Sequence, residues 1–556
     1  MYMFYKGIIL DLDDTLYDYK KCHEKSIETV INYIIEHNEK HKNYEYIFEV
    51  YNKINNKLKH ELKNTASSHN KSIYFKHLLE ELKLDYSYFK ILHHLYWTNF
   101  YTGMVCFEGV KDFIIWNKTN GIKIGILTDY ETEYQIIKLE KLGLLSYIDH
   151  IVTSEEVGIE KPSVNMFFQI LRKMNLSCDE VIMIGDNYEK DIIGALNVGV
   201  KSYWFNKNNK NNINCNNFTE LHSKFYEIHD NLNELKNISK YCGERFDLVQ
   251  AGGGNTSVKV DDLMFIKASG YNLTNIDEKN GYVVIDNKLL LQDIYSNSIK
   301  ELVNYNLLGN KRGSIETFMH SILKKYTIHL HPVQINRVLV SINSKDTIKQ
   351  IYPNGLIMNY LTPGIKVCNE IMNVYKNENV IFLLNHGIII TCDDINSIYE
   401  TLGDVLYHFE SYQKINYDKY KFTNQISKTI NSTFNIDNIS YLCQDEIINR
   451  YLKNNAEIFK EKITFPDCLI YCGVKILFGI NNIQEYKELY GEYPKIIIEN
   501  QSLYINSHSL TKCRDIEEVL KSNLLILDSN LQKNYLSNEE ICFLNNWDAE
   551  KYRKLL

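Results

Sequence analysis

Several absences narrow what this chain can be. It has no excess of positive charge: 62 Lys and Arg stand against 70 Asp and Glu, a formal net charge of −8. The electrostatic footprint of a nucleic-acid binder is therefore missing. No stretch approaches the roughly 18 consecutive apolar residues that a membrane span needs, so no membrane partner is expected. The chain contains 12 cysteines but no Cys-x-x-Cys pair, and the nearest approach, Cys468 and Cys472, lacks partner ligands around it. That scatter suits a reduced, cytoplasmic protein rather than a dense disulfide framework. Met1-Tyr2-Met3-Phe4-Tyr5-Lys6 runs straight into Asp11 and Asp13, which does not read as a secretory leader. No internal repeat is found.

What is present is ordinary in bulk and specific in detail. A length of 556 residues exceeds one hydrophobic core, so two or three domains are expected. Hydrophobic and charged contents of 44% and 24% are those of a globular protein. The interleaved Lys, Asn, Ile and Tyr read as compositional bias rather than function. Short β-branched runs recur early: Ile8–Leu12, Ile122–Leu127, Ile151–Thr153, Val181–Ile184 and Ser202–Phe205. Helical patterns such as Glu131–Leu142 and Val164–Met174 separate them, which predicts a doubly wound parallel sheet. From 17 to 101 only helical patterns appear, an all-helical insertion after the first strand. The Asn-Lys tract at 206–212 reads as a surface loop. Phe218–Ile228 reads as a last helix of this domain, 1–228, before a linker at 229–240. A second α/β domain then spans 241–417, with expected strands at Leu263–Lys267, Tyr326–Leu330 and Val380–Leu384. A mixed α and β extension follows over 418–556.

Two sets of chemistry-bearing residues stand out, one per domain. Asp11 and Asp13 close a buried strand, where ligands bind in open α/β sheets, and strand alternation predicts that both carboxylates face one pocket. Asp186 ends another strand and Asp191 enters a helix. Four acids in one cleft repel unless a cation sits among them, and hard oxygen donors point to Mg²⁺. Thr128, at a strand end, can donate a hydroxyl to a phosphoryl oxygen, and Lys161 can neutralise remaining charge.

These segments, Asp11-x-Asp13-x-Thr15, Thr128, Lys161 and Gly185-Asp186 with Asp191, resemble the four ordered motifs of the haloacid dehalogenase-like hydrolases. The resemblance implies a helical cap, an Asp11 that attacks phosphorus to form an aspartyl phosphate, and an Asp13 that acts as general acid and base. Asp13 favours a phosphatase over a dehalogenase. Asp129 departs from the Asn that many members carry and adds negative charge near the site.

In the second set, His329 and His331 alternate on a strand and His386 follows the apolar run Val380–Leu384. Three histidines with an open position suit Zn²⁺ or a similar divalent ion. Glu316 can move a proton on carbon beside a metal-polarised carbonyl. Gly252-Gly253-Gly254-Asn255-Thr256-Ser257 and Ser269-Gly270 offer donors for a phosphate. This set resembles the class II aldolase and adducin family, nearest the rhamnulose- and fuculose-1-phosphate aldolase type. The resemblance implies that His329, His331 and His386 hold zinc and that Glu316 is the catalytic base. It implies that Gly254, Asn255, Ser269, Gly270 and Ser314 bind the substrate phosphate; Ile315 stands where some aldolases have a second serine. The implied reaction cleaves a ketose 1-phosphate to dihydroxyacetone phosphate and an aldehyde, in a homo-oligomer, typically a tetramer. Relatives also include a sugar-phosphate 4-epimerase, a dehydratase and metal-free adducin modules, so the alternatives are a phosphatase fused to an epimerase or dehydratase, or a chain in which one or both domains are non-catalytic binding or assembly modules. In every version the partners are small phosphorylated substrates.

Overall fold

The computed structural model describes residues 5–205, 214–215, 217–277, 280–307 and 311–546. The tract at 206–212, and Trp547-Asp548 of the tail, lie outside them. The chain divides into two compact units, one ending at His229 and the other beginning at Asp230.

The first unit is built on strands β1 (Gly7–Leu10), β2 (Lys123–Thr128), β3 (His150–Thr153), β4 (Val181–Gly185), β5 (Lys201–Phe205) and β6 (Asn214–Cys215). Their order is β3-β2-β1-β4-β5-β6, and every pairing is parallel. The expected sheet is therefore present. β1 is apolar throughout because it is covered on both faces. Ile8 and Leu10 pack into one core with Phe113 and Ile114, whereas Ile9 packs on the other face with Met166, Phe167 and Ile170. Between β1 and β2 come α1 (Tyr19–His37), α2 (Tyr44–Glu61), α3 (Lys71–Glu81) and α4 (Tyr88–Thr102). Ile27, Val30, Ile31 and Ile34 of α1 share their core with Leu92, Tyr96 and Phe100 of α4, at the three-and-four spacing of helix stripes. α5 (Val110–Thr119) leads into β2, and α6 (Thr132–Lys141) follows it. The strand order reverses beside β1, and the carboxyl ends of β1, β2 and β4 therefore form the crevice where such sheets bind ligands.

The second unit opens on a sheet of β7 (Asn255–Val260), β8 (Leu263–Lys267), β9 (Tyr282–Asp286), β10 (Tyr326–Leu330), β11 (Leu356–Met358), β12 (Val380–Leu383) and β13 (Gly387–Cys392). The order is β11-β12-β13-β10-β7-β8-β9, antiparallel except for β11 against β12. β10 lies at the centre, paired to β13 and β7. The extension adds a sheet of its own, from β14 (Ile439–Leu442), β15 (Leu477–Phe478), β16 (Ile496–Glu499) and β17 (Ser502–Ser507), in the order β14-β17-β16-β15. Ile439, Ile496 and Leu503 pack there on Cys513, Ile516, Leu520 and Leu524 of the helix Leu510–Leu527.

The segment 229–240, expected as a linker, lies within a helix, Phe218–Gly243. The reason is a continuous apolar stripe: Leu221, Phe225, Ile228, Leu232, Leu235, Ile238 and Cys242 are all buried. Among the described residues no helix is long and apolar enough to cross a membrane.

Candidate active sites

In the first unit the carboxyl ends of three strands bring the expected residues together. Asp11, one residue past β1, is buried. Its Oδ1 accepts from Lys161 Nζ at 2.6 Å and its Oδ2 from the Thr15 hydroxyl at 3.1 Å. Lys161 Nζ also donates to Asp191 Oδ1 at 2.7 Å and to the Leu127 carbonyl at 3.0 Å. The Thr15 hydroxyl also reaches Asp186 Oδ1 at 3.2 Å. Asp191 is carried on a wide π-type turn, Tyr188–Ile193, right after β4. A Cβ on Gly185 would lie 2.4 Å from the Asp191 carboxyl, so glycine is what lets that carboxylate close on the strand end.

One carboxylate oxygen each of Asp11, Asp186 and Asp191 lies within 4.8 Å of the others. Burial, then repulsion from neighbouring acids, raises the Asp186 carboxyl to about 6. Burial likewise pushes Asp11 up, opposed by Lys161 and reinforced by Asp191 and Asp186. Carboxylates that destabilise one another in this way fit a hard divalent cation.

Asp13 does not join that trio with its carboxylate. β1 ends at Leu10, so the expected alternation stops before it reaches Asp13, and Asp14 turns the chain with φ of 65°. Both Asp13 oxygens instead accept from Lys138 Nζ, at 2.8 and 2.9 Å. The Tyr17 hydroxyl donates to Oδ1, and Gln135 Nε2 to Oδ2 at 3.2 Å. Gln135 also holds the Thr128 hydroxyl at 2.6 Å. The sequence reading missed both helix residues. The available signal was their three-residue spacing on α6, which turns both toward one face.

Asp129 is also paired. Its Oδ1 accepts from the Lys161 amide at 2.9 Å and its Oδ2 from Lys190 Nζ at 2.8 Å. Lys190 bridges onward to Glu160 at 3.0 Å. Glu160 is gripped from the helical insertion as well, by His69 Nε2 at 3.0 Å and the Ser68 hydroxyl at 3.1 Å, while its amide donates to the Asn64 carbonyl at 3.1 Å. Burial opposes the Glu160 charge, but His69 and Lys190 outweigh it and hold the carboxyl at about 2.

The second unit gathers three imidazoles at one end of its central strand. The rings of His329, His331 and His386 lie 4.7 to 5.2 Å apart, with one nitrogen from each within 4.8 Å of the others. His329 Nδ1 lies 3.0 Å from the Ile388 carbonyl, which assigns its proton to Nδ1 and leaves Nε2 a free lone pair. That Nε2 is 3.0 Å from His331 Nε2 and 3.2 Å from Glu316 Oε1, and His386 Nε2 is 3.7 Å from the same oxygen. Burial, then its histidine neighbours, pushes His329 well below the usual imidazole range, so it is neutral. Two neutral nitrogens facing each other beside a carboxylate fit a divalent ion. A Cβ on Gly387 would lie 2.3 Å from the Leu330 carbonyl and 2.8 Å from the His331 ring. His320 stays outside the trio, buried with Nδ1 2.7 Å from the Ser257 hydroxyl, and His408 is exposed beside Asp404.

Asn255 donates to Glu316 Oε2 at 2.6 Å, so its amide nitrogen is engaged on the acid. The Ser314 hydroxyl accepts from the Glu316 amide at 3.4 Å. Ala268 bridges Gly313, and the Ser269 amide donates to the Arg312 carbonyl, which sets Ser269-Gly270 beside Ser314. Lys267, absent from the sequence expectations, reaches the Tyr271 carbonyl at 2.8 Å and that of Gly252 at 3.3 Å. It thereby ties the Ser269-Gly270 turn to the loop carrying Gly254.

Comparison with known proteins agrees with this division. The haloacid dehalogenase-like hydrolase family matches residues 5–199, and the class II aldolase and adducin N-terminal domain matches 233–412. A ribulose-1,5-bisphosphate 5-phosphatase of Halopiger xanaduensis is 31% identical over 209 residues, 36% of this chain and 84% of that protein. A glyceraldehyde 3-phosphate phosphatase of Pyrococcus furiosus is 30% identical over 206 residues, 36% of this chain and 80% of that protein. The N-terminal class II aldolase domain of a conserved Thermoplasma acidophilum protein is 28% identical, covering 33% of this chain and 92% of its own, with a TM-score of 0.30. The chain belongs to the haloacid dehalogenase-like hydrolase family, as a phosphatase-type member fused to a class II aldolase and adducin domain.

Proposed function

We propose that the chain is a bifunctional enzyme of phosphorylated-sugar metabolism. One site hydrolyses a phosphate monoester at Asp11. The other cleaves a ketose 1-phosphate to dihydroxyacetone phosphate and an aldehyde beside His329, His331 and His386. The carrying observation is the pairing of two prepared centres: a buried Asp11 set against Lys161, and Glu316 Oε1 converging with imidazole nitrogens. The sugar and triose phosphates named for the Halopiger and Pyrococcus relatives support small phosphorylated substrates.

At the first site Asp11, Asp186 and Asp191 would hold Mg²⁺, which when bound offsets charge on the phosphoryl oxygens. Asp11 attacks phosphorus, the ester P–O bond breaks, and the phosphoryl group passes to the Asp11 carboxylate. Asp13 gives a proton to the departing alkoxide and later takes one from the water that releases phosphate. Lys138, Gln135 and Tyr17 keep Asp13 in place for both transfers. Thr128 and Lys161 face the phosphoryl oxygens.

At the second site the three histidines would hold zinc, which when bound polarises the substrate carbonyl. Cleavage breaks the C3–C4 bond while the C4 hydroxyl loses its proton to solvent and becomes the aldehyde carbonyl; Glu316 gives a proton to the freed C3 and takes it back in the reverse direction. Asn255 holds that carboxylate from its other oxygen. Gly254, Ser269, Gly270 and Ser314 receive the substrate phosphate, on loops joined by Lys267.

Asp11→Asn is expected to abolish phosphate release from an aryl phosphate while aldehyde release from ketose 1-phosphates persists. His331→Ala should lose bound zinc and aldehyde release and keep phosphate release. Loss of both activities in either variant would sink the reading of two separate centres.

A further inference from the structure

The helical insertion buries a cation without an anion. Lys71, the first residue of α3, is 4% exposed. Among the described residues its ammonium makes no ion pair, and its hydrogen bond to the His69 carbonyl is long, at 3.3 Å. Otherwise it lies over aromatic faces, 4.6 Å from the Tyr74 ring centre and 5.8 Å from that of Tyr96. Burial, then the charges of Lys59 and Lys138, pushes it down to about 7 against weaker support from Asp13 and Glu131.

A second group nearby is also left over. Tyr51 is 1% exposed, its ring packs edge-on against Tyr74, and its hydroxyl has no hydrogen-bond partner. Tyr19 connects this corner to the phosphatase site. Its ring lies 5.1 Å from Lys138 Nζ, and its hydroxyl meets that of Tyr96. Lys138 itself is committed to Asp13. The wall beyond the general acid thus runs from Lys138 through Tyr19 to Tyr51 and Lys71. A packed core satisfies its buried polar groups and pairs its buried charges; this corner does neither.

We propose that Lys71, helped by the Tyr51 hydroxyl, forms an anion subsite for a second negatively charged group, carboxylate or phosphate, on the alcohol part of the phosphate monoester. The inference rests on the phosphatase reading above. Such an anion supplies the partner that Lys71 lacks, through charge-assisted hydrogen bonds in a dry setting. An ester with a neutral tail leaves the ammonium unmatched.

The test uses the full chain with Mg²⁺ and measures phosphate release from two matched pairs. Glycerate 3-phosphate is set against glycerol 3-phosphate, and glucose 1,6-bisphosphate, which is no ketose 1-phosphate, against glucose 6-phosphate. In the wild type kcat/KM should favour the doubly anionic ester of at least one pair tenfold or more. Lys71→Met should bring that ratio near one, Lys71→Arg should keep it, and Tyr51→Phe should lower it. Equal kcat/KM within both wild-type pairs overturns the proposal without recourse to any variant. So does a Lys71→Met enzyme that slows charged and neutral esters alike. If no ester is hydrolysed, an aryl phosphate included, the phosphatase reading falls instead.

Discussion

At the scale of single residues, the most consequential contact is the one between Lys138 and Asp13. A buried ammonium binds both Asp13 oxygens, and in the proposed mechanism it fixes where this acid and base stands relative to the leaving group. An aryl leaving group departs without protonation, whereas an alkoxide needs it. Lys138→Met is therefore expected to lower kcat/KM for an alkyl phosphate by roughly tenfold or more, and for an aryl phosphate far less. Equal losses on both substrates would reduce Lys138 to a packing residue. The grouping of Asp11 with Asp186 and Asp191 was legible because each lies at or just beyond an apolar strand and carries a residue type with few other reasons to be there. Lys71 was not legible, and Lys138 and Gln135 had only their three-residue spacing to mark them, since a charged or amide residue within a helical pattern normally marks the solvated face. Only the three-dimensional packing shows that these side chains point inward. The pairing of Asp129 was hidden for a related reason: its partner, Lys190, lies 61 positions away and cannot be read from local spacing.

At the scale of elements, β10 and β13 do for the second unit what β1 and β4 do for the first. β10 ends where antiparallel β13 begins, and the chemistry lies at that shared end. His331 follows the last residue of β10, and its amide is anchored on the Leu248 carbonyl at 3.0 Å. His386 sits in the turn between β12 and β13, and Gly387 lets the two strand ends close. Gly387→Ala is expected to push β13 from β10 and to cost about 1–3 kcal/mol through overpacking. Zinc stoichiometry after dialysis should fall with it; full retention of zinc would show that the strand ends tolerate the methyl group. The strands carrying both sites were readable as short apolar runs. The extension was not, because its strands of two to six residues sit among Asn-rich turns and give no sustained period. The helix Phe218–Gly243 was truncated in the sequence reading because its Asp, Asn and Lys residues resemble a linker, while the buried stripe beneath them runs on.

At the scale of the molecule, the second unit joins residues far apart in sequence through one buried acid. Glu244 accepts from the Ser427 hydroxyl at 2.7 Å and from Asn424 at 3.1 Å. Burial outweighs these donors and raises its carboxyl to about 8. A carboxyl raised on folding contributes fully below its unfolded value, near 4.5, and its contribution is lost as pH climbs through about 8. At about 1.4 kcal/mol per pKa unit the shift corresponds to a loss on the order of 5 kcal/mol. Glu244→Gln should flatten the fall of Tm between pH 4.5 and 8 and raise Tm above pH 8. An unchanged slope would mean that this carboxyl ionises without penalty in the fold.

Glu160 and Lys161 are neighbours in the chain with opposite allegiances. One is clasped by Asn64, Ser68 and His69, and the other rests its ammonium on the nucleophile. Any displacement of those three residues must therefore strip three bonds from a residue a single peptide link away from the ammonium that restrains Asp11. In the proposed phosphatase reading, the grip on the helical insertion and the restraint on Asp11 are thereby fastened to the same short piece of backbone.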